Sequence, residues 1–178
     1  MIETSSQQLG RAIKLAADLH YDQTDKSGEP FLLHPLNVMF KCTPVHEVMM
    51  VAILHDVLED CDISHIQLQA LRFPEIVISG VISVTRHVLD RATGTLVCRR
   101  AIEGDEKEDY GAFIERAAKH PIGSIVKMQD LEHNLSPPRM NKLNHDEVMF
   151  MVERYRQAQV TLFRPYVKAC MNYYGSII

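Results

Sequence analysis

The stretch that decides the fold is VAILHDVLEDC, Val51 to Cys61. It opens as an apolar helix and then places His55, Asp56, Glu59 and Asp60 close together. Residues four apart share a helix face, so His55 is expected over Glu59 and Asp56 over Asp60. Successive residues differ by about 100°, which keeps His55 and Asp56 in one sector. Packing requires none of these groups, and burying unpaired charges is costly. A divalent cation removes that cost, because imidazole and carboxylate suit Mn²⁺, Fe²⁺ or Zn²⁺. The competing reading makes Glu59 and Asp60 a solvated helix end with Asp62 as the following cap, and a bare His-Asp pair also occurs by chance.

Two ligands do not make a site, so the rest of the chain has to supply more. His34 precedes Pro35 at a helix start, after a loop able to turn inward. Asp130 lies in IVKMQDLEHN, whose Ile125, Val126 and Met128 mark a packed side. A cation held by His34, His55, Asp56 and Asp130 has two neutral nitrogens and two carboxylates, with positions left for water and a substrate oxygen. His133 is read either as orienting Asp130 or a substrate group or as purely structural. His20 is expected to be a helix-end histidine. His46, His65, His87, His120 and His145 lie at helix ends or in polar contexts and are given structural roles.

Around this stretch the pattern is helical. Thr4, Ser5 and Ser6 offer N-caps for a helix running to about Tyr21. DQTDKSGEPFLLHP reads as a loop leading to a short helix near Pro35. Pro44 is expected to open the helix that carries Val51–Cys61. Ser64 caps a short helix through Leu71, and another starts at Phe73-Pro74-Glu75. That last run is rich in β-branched residues, but its length and lack of alternation favour helix over strand. Residues 88–108 hold Arg91, Arg99 and Arg100 and the acidic run GDEKED, and read as an excursion with a short hairpin. Tyr110–Lys119 and Ile122–Asn134 are two more helices, stopped by Ser136-Pro137-Pro138. A long helix runs from about Asp146 to Tyr174, and Pro165 is expected to kink or split it. No internal repeat appears. The sum is one all-α domain over residues 1–178.

Composition narrows the function classes. Of 178 residues, 46% are hydrophobic and 24% charged, which suffices for a core in a chain of this length. The formal net charge of −4 comes with no Lys/Arg-rich run, which argues against nucleic acid as a partner. A small anionic ligand needs a local cationic cluster or a metal. Cys42, Cys61, Cys98 and Cys170 form no C-x-x-C pair, and no apolar run approaches the roughly 20 residues of a membrane span. With no signal peptide in view, the expectation is reduced thiols, a cytoplasmic location and no membrane partner. The sequence leaves a homo-oligomer open.

KSGEPFLLHP, ILHDVLED and VKMQDLEHN resemble, in order and approximate spacing, the hydrolase domain of RelA/SpoT homologues. The likeness is greatest to the free-standing small alarmone hydrolases of the HD superfamily and spans roughly residues 9–140. It implies an all-helical HD-domain bundle, a bound Mn²⁺, and hydrolysis of the 3′-diphosphate of (p)ppGpp to GDP or GTP plus pyrophosphate. By motif position it makes His34, His55, Asp56 and Asp130 the metal ligands and Glu59 and Asp60 the catalytic pair. Lys26, Ser27 and Asn134 fall on substrate-contacting positions. Arg99, Arg100, Arg116, Lys127 and Arg139 are further candidates for the phosphates.

The chain departs from the family pattern at three places. Asp25 stands where the longer enzymes carry an arginine that stacks on guanine. Leu131 replaces a second arginine, and Ser136-Pro137-Pro138 replaces the usual continuation. These departures are expected to touch the base and outer phosphates rather than the metal, so (p)ppApp competes with (p)ppGpp as substrate. Other expectations to be weighed are a different HD phosphohydrolase, acting on a nucleoside mono- or triphosphate, and a catalytically silent nucleotide-binding module. About forty residues follow the motifs, too few for a second catalytic domain.

Overall fold

The computed structural model describes residues 3–26, 28–42 and 44–174. Thr4 starts the first helix, α1 (Ser5–Leu19), with a capping box: its hydroxyl accepts from Gln7 N–H, and the Gln7 side chain accepts from Thr4 N–H. Helix α2 (Leu33–Lys41) follows the loop, and α3 (His46–Leu54) is apolar on every side. Such a helix belongs in the interior, and Val48, Met50, Val51, Ala52, Ile53 and Leu54 of α3 are all buried.

Pro44 does not open α3, which begins two residues later with Val45 as its N-cap. Nor does α3 continue to Cys61. It ends at Leu54, His55 and Asp56 form a turn, and a one-turn helix α4 (Val57–Asp60) follows. The cause is local. His55 Nδ1 lies 2.8 Å from the Ala52 carbonyl, the acceptor that a continuing helix would offer to Asp56 N–H. The break places His55 and Asp56 at a helix junction rather than along one face.

Helix α5 (His65–Ala70) carries a capping box from Ser64 and Gln67. The β-branched run forms α6 (Glu75–Val84), as its length predicts. Gly80 lets α6 lie directly on α3, because a Cβ there would sit 2.6 Å from Val51 Cγ2. The excursion holds a hairpin, β1 (Val88–Asp90) paired antiparallel with β2 (Thr95–Val97), with Val88 opposite Val97. A bridge from Val88 to Lys107 ties the end of the excursion to β1.

Helix α7 (Tyr110–Lys119) and the central α8 (Pro121–Asn134) meet at His120, whose side chain accepts from Gly123 N–H. Ser136-Pro137-Pro138 does not simply stop the chain. It starts the one-turn α9 (Pro137–Met140), since Pro is well placed at a first helical position. The last helix, α10 (His145–Tyr174), crosses Pro165 without being split. Thr161, whose carbonyl loses its donor to the proline, is exposed, so water can serve it.

The core has two parts. The larger joins α1, α2, α3, α4, α6 and one side of α8. The smaller, Phe113, Ile114, Met128, Leu131, Ala158 and Leu162, packs α7 and α8 against α10. The architecture is all-α with one small hairpin, as the sequence predicts. Among the described residues no helix is long and apolar enough to cross a membrane.

Candidate metal centre

The α3–α4 turn delivers His55 and Asp56, α2 delivers His34 from its first turn, and α8 delivers Asp130. His34, His55 and Asp130 are buried, and one ligand atom each of His34, His55 and Asp56 lies within 4.8 Å of the other two. His55 Nε2 is 3.0 Å from Asp56 Oδ2 and 3.2 Å from His34 Nε2. Asp130 joins through the histidines, with Oδ1 at 3.1 Å from His34 Nε2 and 3.7 Å from His55 Nε2.

Hydrogen bonding sets the tautomers. A carbonyl only accepts, so His55 Nδ1 must donate to Ala52, and neutral His55 turns its Nε2 lone pair to the cluster. His34 Nδ1 lies 2.7 Å from His133 Nδ1, and when His34 is the donor there its Nε2 lone pair also points inward. Two lone pairs and two carboxylates then converge on one spot, an arrangement that calls for positive charge. Burial opposes charge on His55, yet Asp56 and Asp130 hold its pKa well above the ordinary value. Burial likewise opposes ionisation of Asp130, but Lys127 Nζ at 2.7 Å and the two histidines hold its pKa well below normal. The donor set of imidazole nitrogens and carboxylate oxygens fits a divalent cation of the Mn²⁺, Fe²⁺ or Zn²⁺ kind.

The expected catalytic pair splits into two environments. Glu59 is anchored: Arg86 N–H donates to Oε2 at 3.1 Å and Lys107 Nζ to Oε1 at 3.1 Å. Burial, with Asp56 and Glu59 beside it, pushes the Asp60 carboxyl up to about 7. Both line a cleft of about 250 Å³ that also reaches His34, Asp56 and Asp130.

The expected substrate contacts scatter. Asn134 lines the cleft and donates through Nδ2 to Asp130 Oδ1 at 2.7 Å. Lys26 is exposed, 3.8 Å from Glu147, and lines an adjoining cavity of about 330 Å³ with Phe31, Asn134 and Tyr155. Ser27 lies outside the described residues. Of the cationic candidates, Lys127 and Arg139 face the cleft. Arg99 instead pairs with Asp105 at 2.7 Å, and Arg100 lines a separate groove beside Cys61. Arg116 pairs with Glu108 and donates to the carbonyls of Ile82, Ser83 and Thr85.

The departures also sort out. Asp25 borders the adjoining cavity, 3.9 Å from Arg139. Leu131 is 1% exposed and faces the α7–α8–α10 core, so it does not touch the base or phosphate environment as expected. Sequence reasoning missed Arg86, Arg154 and Tyr155 and gave Tyr110 no role, although all four line the cleft. None lies in a motif: α7 brings Tyr110, α10 brings Arg154 and Tyr155, and Arg86 comes from the segment just after α6.

No family model matches the chain. A curated guanosine-3′,5′-bis(diphosphate) 3′-pyrophosphohydrolase of Aquifex aeolicus is 30% identical over 133 residues, 73% of this chain and 18% of that protein. The bifunctional (p)ppGpp synthase/hydrolase SpoT of Escherichia coli is 35% identical over 136 residues, 75% of this chain and 18% of its own length. The chain thus spans less than a fifth of these curated relatives. A solved structure, described as a metazoan ortholog of SpoT that hydrolyzes ppGpp, superposes with a TM-score of 0.58 at 22% identity. It covers 97% of this chain and 98% of its own, so the two share a fold. On these similarities, about three quarters of the chain matches a segment of RelA/SpoT-type 3′-pyrophosphohydrolases and synthase/hydrolases.

Proposed function

We propose that this protein hydrolyses the 3′-diphosphate of alarmone nucleotides, (p)ppGpp in the first place, releasing pyrophosphate and the nucleoside 5′-phosphate. The observation that carries the reading is the convergence of His34 Nε2, His55 Nε2, Asp56 and Asp130 at the floor of an open cleft. These four residues would hold one divalent cation, for which Mn²⁺ is the choice that the family resemblance implies. Bound there, the cation supplies a Lewis acid and lowers the pKa of a water.

The chain's own groups do the rest. The water oxygen bonds to the phosphorus attached to the ribose 3′-oxygen, the P–O3′ bond breaks, and a proton ends on the 3′-oxygen. Asp60, with its carboxyl near 7, suits the proton transfer at neutral pH. Glu59, fixed by Arg86 N–H and Lys107, positions the attacking water. His133 holds the His34 ring, and Asn134 and Lys127 hold Asp130. Lys26, Ser27 and Asn134 are assigned to the nucleotide, with the cavity beside Phe31 and Tyr155 receiving the nucleoside.

The test is turnover of ppGpp by the Mn²⁺-loaded protein, with products separated by ion-exchange chromatography. GDP and pyrophosphate are expected. Orthophosphate released from a nucleoside 5′-monophosphate, with ppGpp untouched, would replace this reading with another HD phosphohydrolase. Binding of ppGpp without turnover would make the protein a silent nucleotide-binding module. A second reading, (p)ppApp as substrate, rests on Asp25: a carboxylate beside Arg139 cannot stack a cation on guanine. Comparing ppApp with ppGpp at equal concentration decides between the bases.

A further inference from the structure

Four cationic side chains face the metal cleft: Arg86, Lys127, Arg139 and Arg154. Two have carboxylate partners, Lys127 with Asp130 at 2.7 Å and Arg139 with Asp25 at 3.9 Å. Among the described residues, Arg86 and Arg154 have no carboxylate within ion-pair distance. In a chain of net charge −4, two half-buried guanidinium groups facing one cleft without an ion-pair partner among the described residues stand out.

Both lie against one aromatic ring of the cleft, that of Tyr110. The Arg154 guanidinium carbon lies 3.6 Å from the Tyr110 ring centroid and that of Arg86 lies 5.7 Å from it. Arg86 Nε donates to the Glu108 carbonyl at 2.7 Å, which fixes the orientation of its guanidinium. Tyr110 Oη and Arg154 Nε are shielded and have no hydrogen-bond partner among the described residues. Arg86, Tyr110 and Arg154 also line a second cavity that continues away from the cluster. The cleft shares Phe31, Asn134 and Tyr155 with the cavity assigned to the nucleoside, whose lining includes none of Arg86, Tyr110 and Arg154.

We infer that Arg86, Tyr110 and Arg154 form a receiving site for the terminal phosphate of the leaving diphosphate. This assignment rests on the 3′-diphosphate reading and extends it by giving the substrate a direction. The nucleoside lies toward Phe31 and Tyr155, the phosphorus under attack lies over the cluster, and the outer phosphate lies between the two arginines. A guanidinium fork matches phosphate oxygens bidentately. The Tyr110 hydroxyl adds a neutral donor that reaches one of those oxygens once Arg154 turns from the ring toward the anion. The site selects a diphosphate over a monophosphate at the 3′-position, because a single phosphate over the cluster leaves both arginines unmatched.

The test is equilibrium titration of the Mn²⁺-loaded protein, freed of excess metal, with inorganic pyrophosphate and with orthophosphate. Wild type is expected to prefer pyrophosphate. Arg154→Ala should reduce that preference about tenfold, the usual weight of one charge-assisted contact. Arg154→Lys should retain part of it, and Tyr110→Phe should lower it without altering packing volume. Circular dichroism verifies folding, and if Arg154→Ala fails to fold, Arg154→Lys and Tyr110→Phe decide. An unchanged ratio in folded variants overturns the assignment. Because the titration needs no turnover, a protein that hydrolyses no alarmone yet binds pyrophosphate through Arg154 keeps this site and loses the proposed reaction. A protein that hydrolyses ppGpp with the ratio unchanged in the variants does the reverse.

Discussion

The His133 imidazole contributes no ligand atom to the cluster, yet the aim of His34 depends on it. Its Nδ1 lies 2.7 Å from His34 Nδ1, and the two rings stack with centroids 4.9 Å apart. Burial, with His34 and Arg139 nearby, pushes the His133 pKa down to about 4, so it stays neutral and able to accept. His133→Ala should therefore weaken Mn²⁺ binding by roughly 10–100-fold, as loss of a ligand's outer partner does. Asp56→Ala removes a ligand and should abolish metal binding in the same titration. Glu59→Ala should keep the metal and lose turnover, by about 10²–10⁴-fold for a group that acts on the attacking water. Loss of the metal in that variant would mean that Glu59 has been given the wrong role. Leu131 shows the limit of reading residues by motif position. Its place in the sequence suggests a missing phosphate ligand, but the α8 helix turns it into the α10-facing core.

Contacts between elements explain why the helices were legible and their junctions less so. Apolar spacing, Ser64 and Thr4 as caps, and the prolines located most of the helices to within a residue or two. The break at His55-Asp56 was not visible, because it depends on where an imidazole proton goes rather than on propensity. The approach of α6 to α3 depends on Gly80, where any side chain meets Val51. Gly80→Ala should cost roughly 1–3 kcal/mol through overpacking, read as a lower urea midpoint with an unchanged slope. The excursion is fastened by Glu108, whose carboxylate accepts from Arg116 at 2.6 Å and from His87 N–H at 3.2 Å. Burial opposes the charge, but Arg116 and His87 N–H hold the Glu108 pKa below the usual glutamate value. A depressed carboxyl contributes stability above its unfolded pKa and loses it as pH falls through the folded one. Glu108→Ala should thus cost about 3 kcal/mol at pH 7, the scale of breaking a buried pair. The deficit should shrink in acid unfolding measurements below the ordinary glutamate range.

Across the whole molecule, the candidate centre draws on His34, the His55-Asp56 turn and Asp130, segments far apart in the chain. The sequence made these four legible because each sits in a distinctive motif. Arg86, Tyr110 and Arg154 carry no motif and come from the segment after α6, from α7 and from α10, so no local pattern could announce them. A cation held by His34, His55, Asp56 and Asp130 would cross-link α2, the α3–α4 turn and α8. A ligand that binds only the folded state stabilises it by mass action, by about 2.7 kcal/mol at a hundred times its Kd. In a chain of 178 residues, that corresponds to a rise in Tm of roughly 5–10 °C. Wild type with saturating Mn²⁺ should melt that much above the chelator-treated protein, and Asp56→Ala should melt at the same temperature with and without the ion. A metal-dependent shift that survives Asp56→Ala would move the binding site elsewhere. No shift in wild type would mean that the four ligands hold no ion at all, and the positive charge demanded by their lone pairs and carboxylates would have to be a proton on His55.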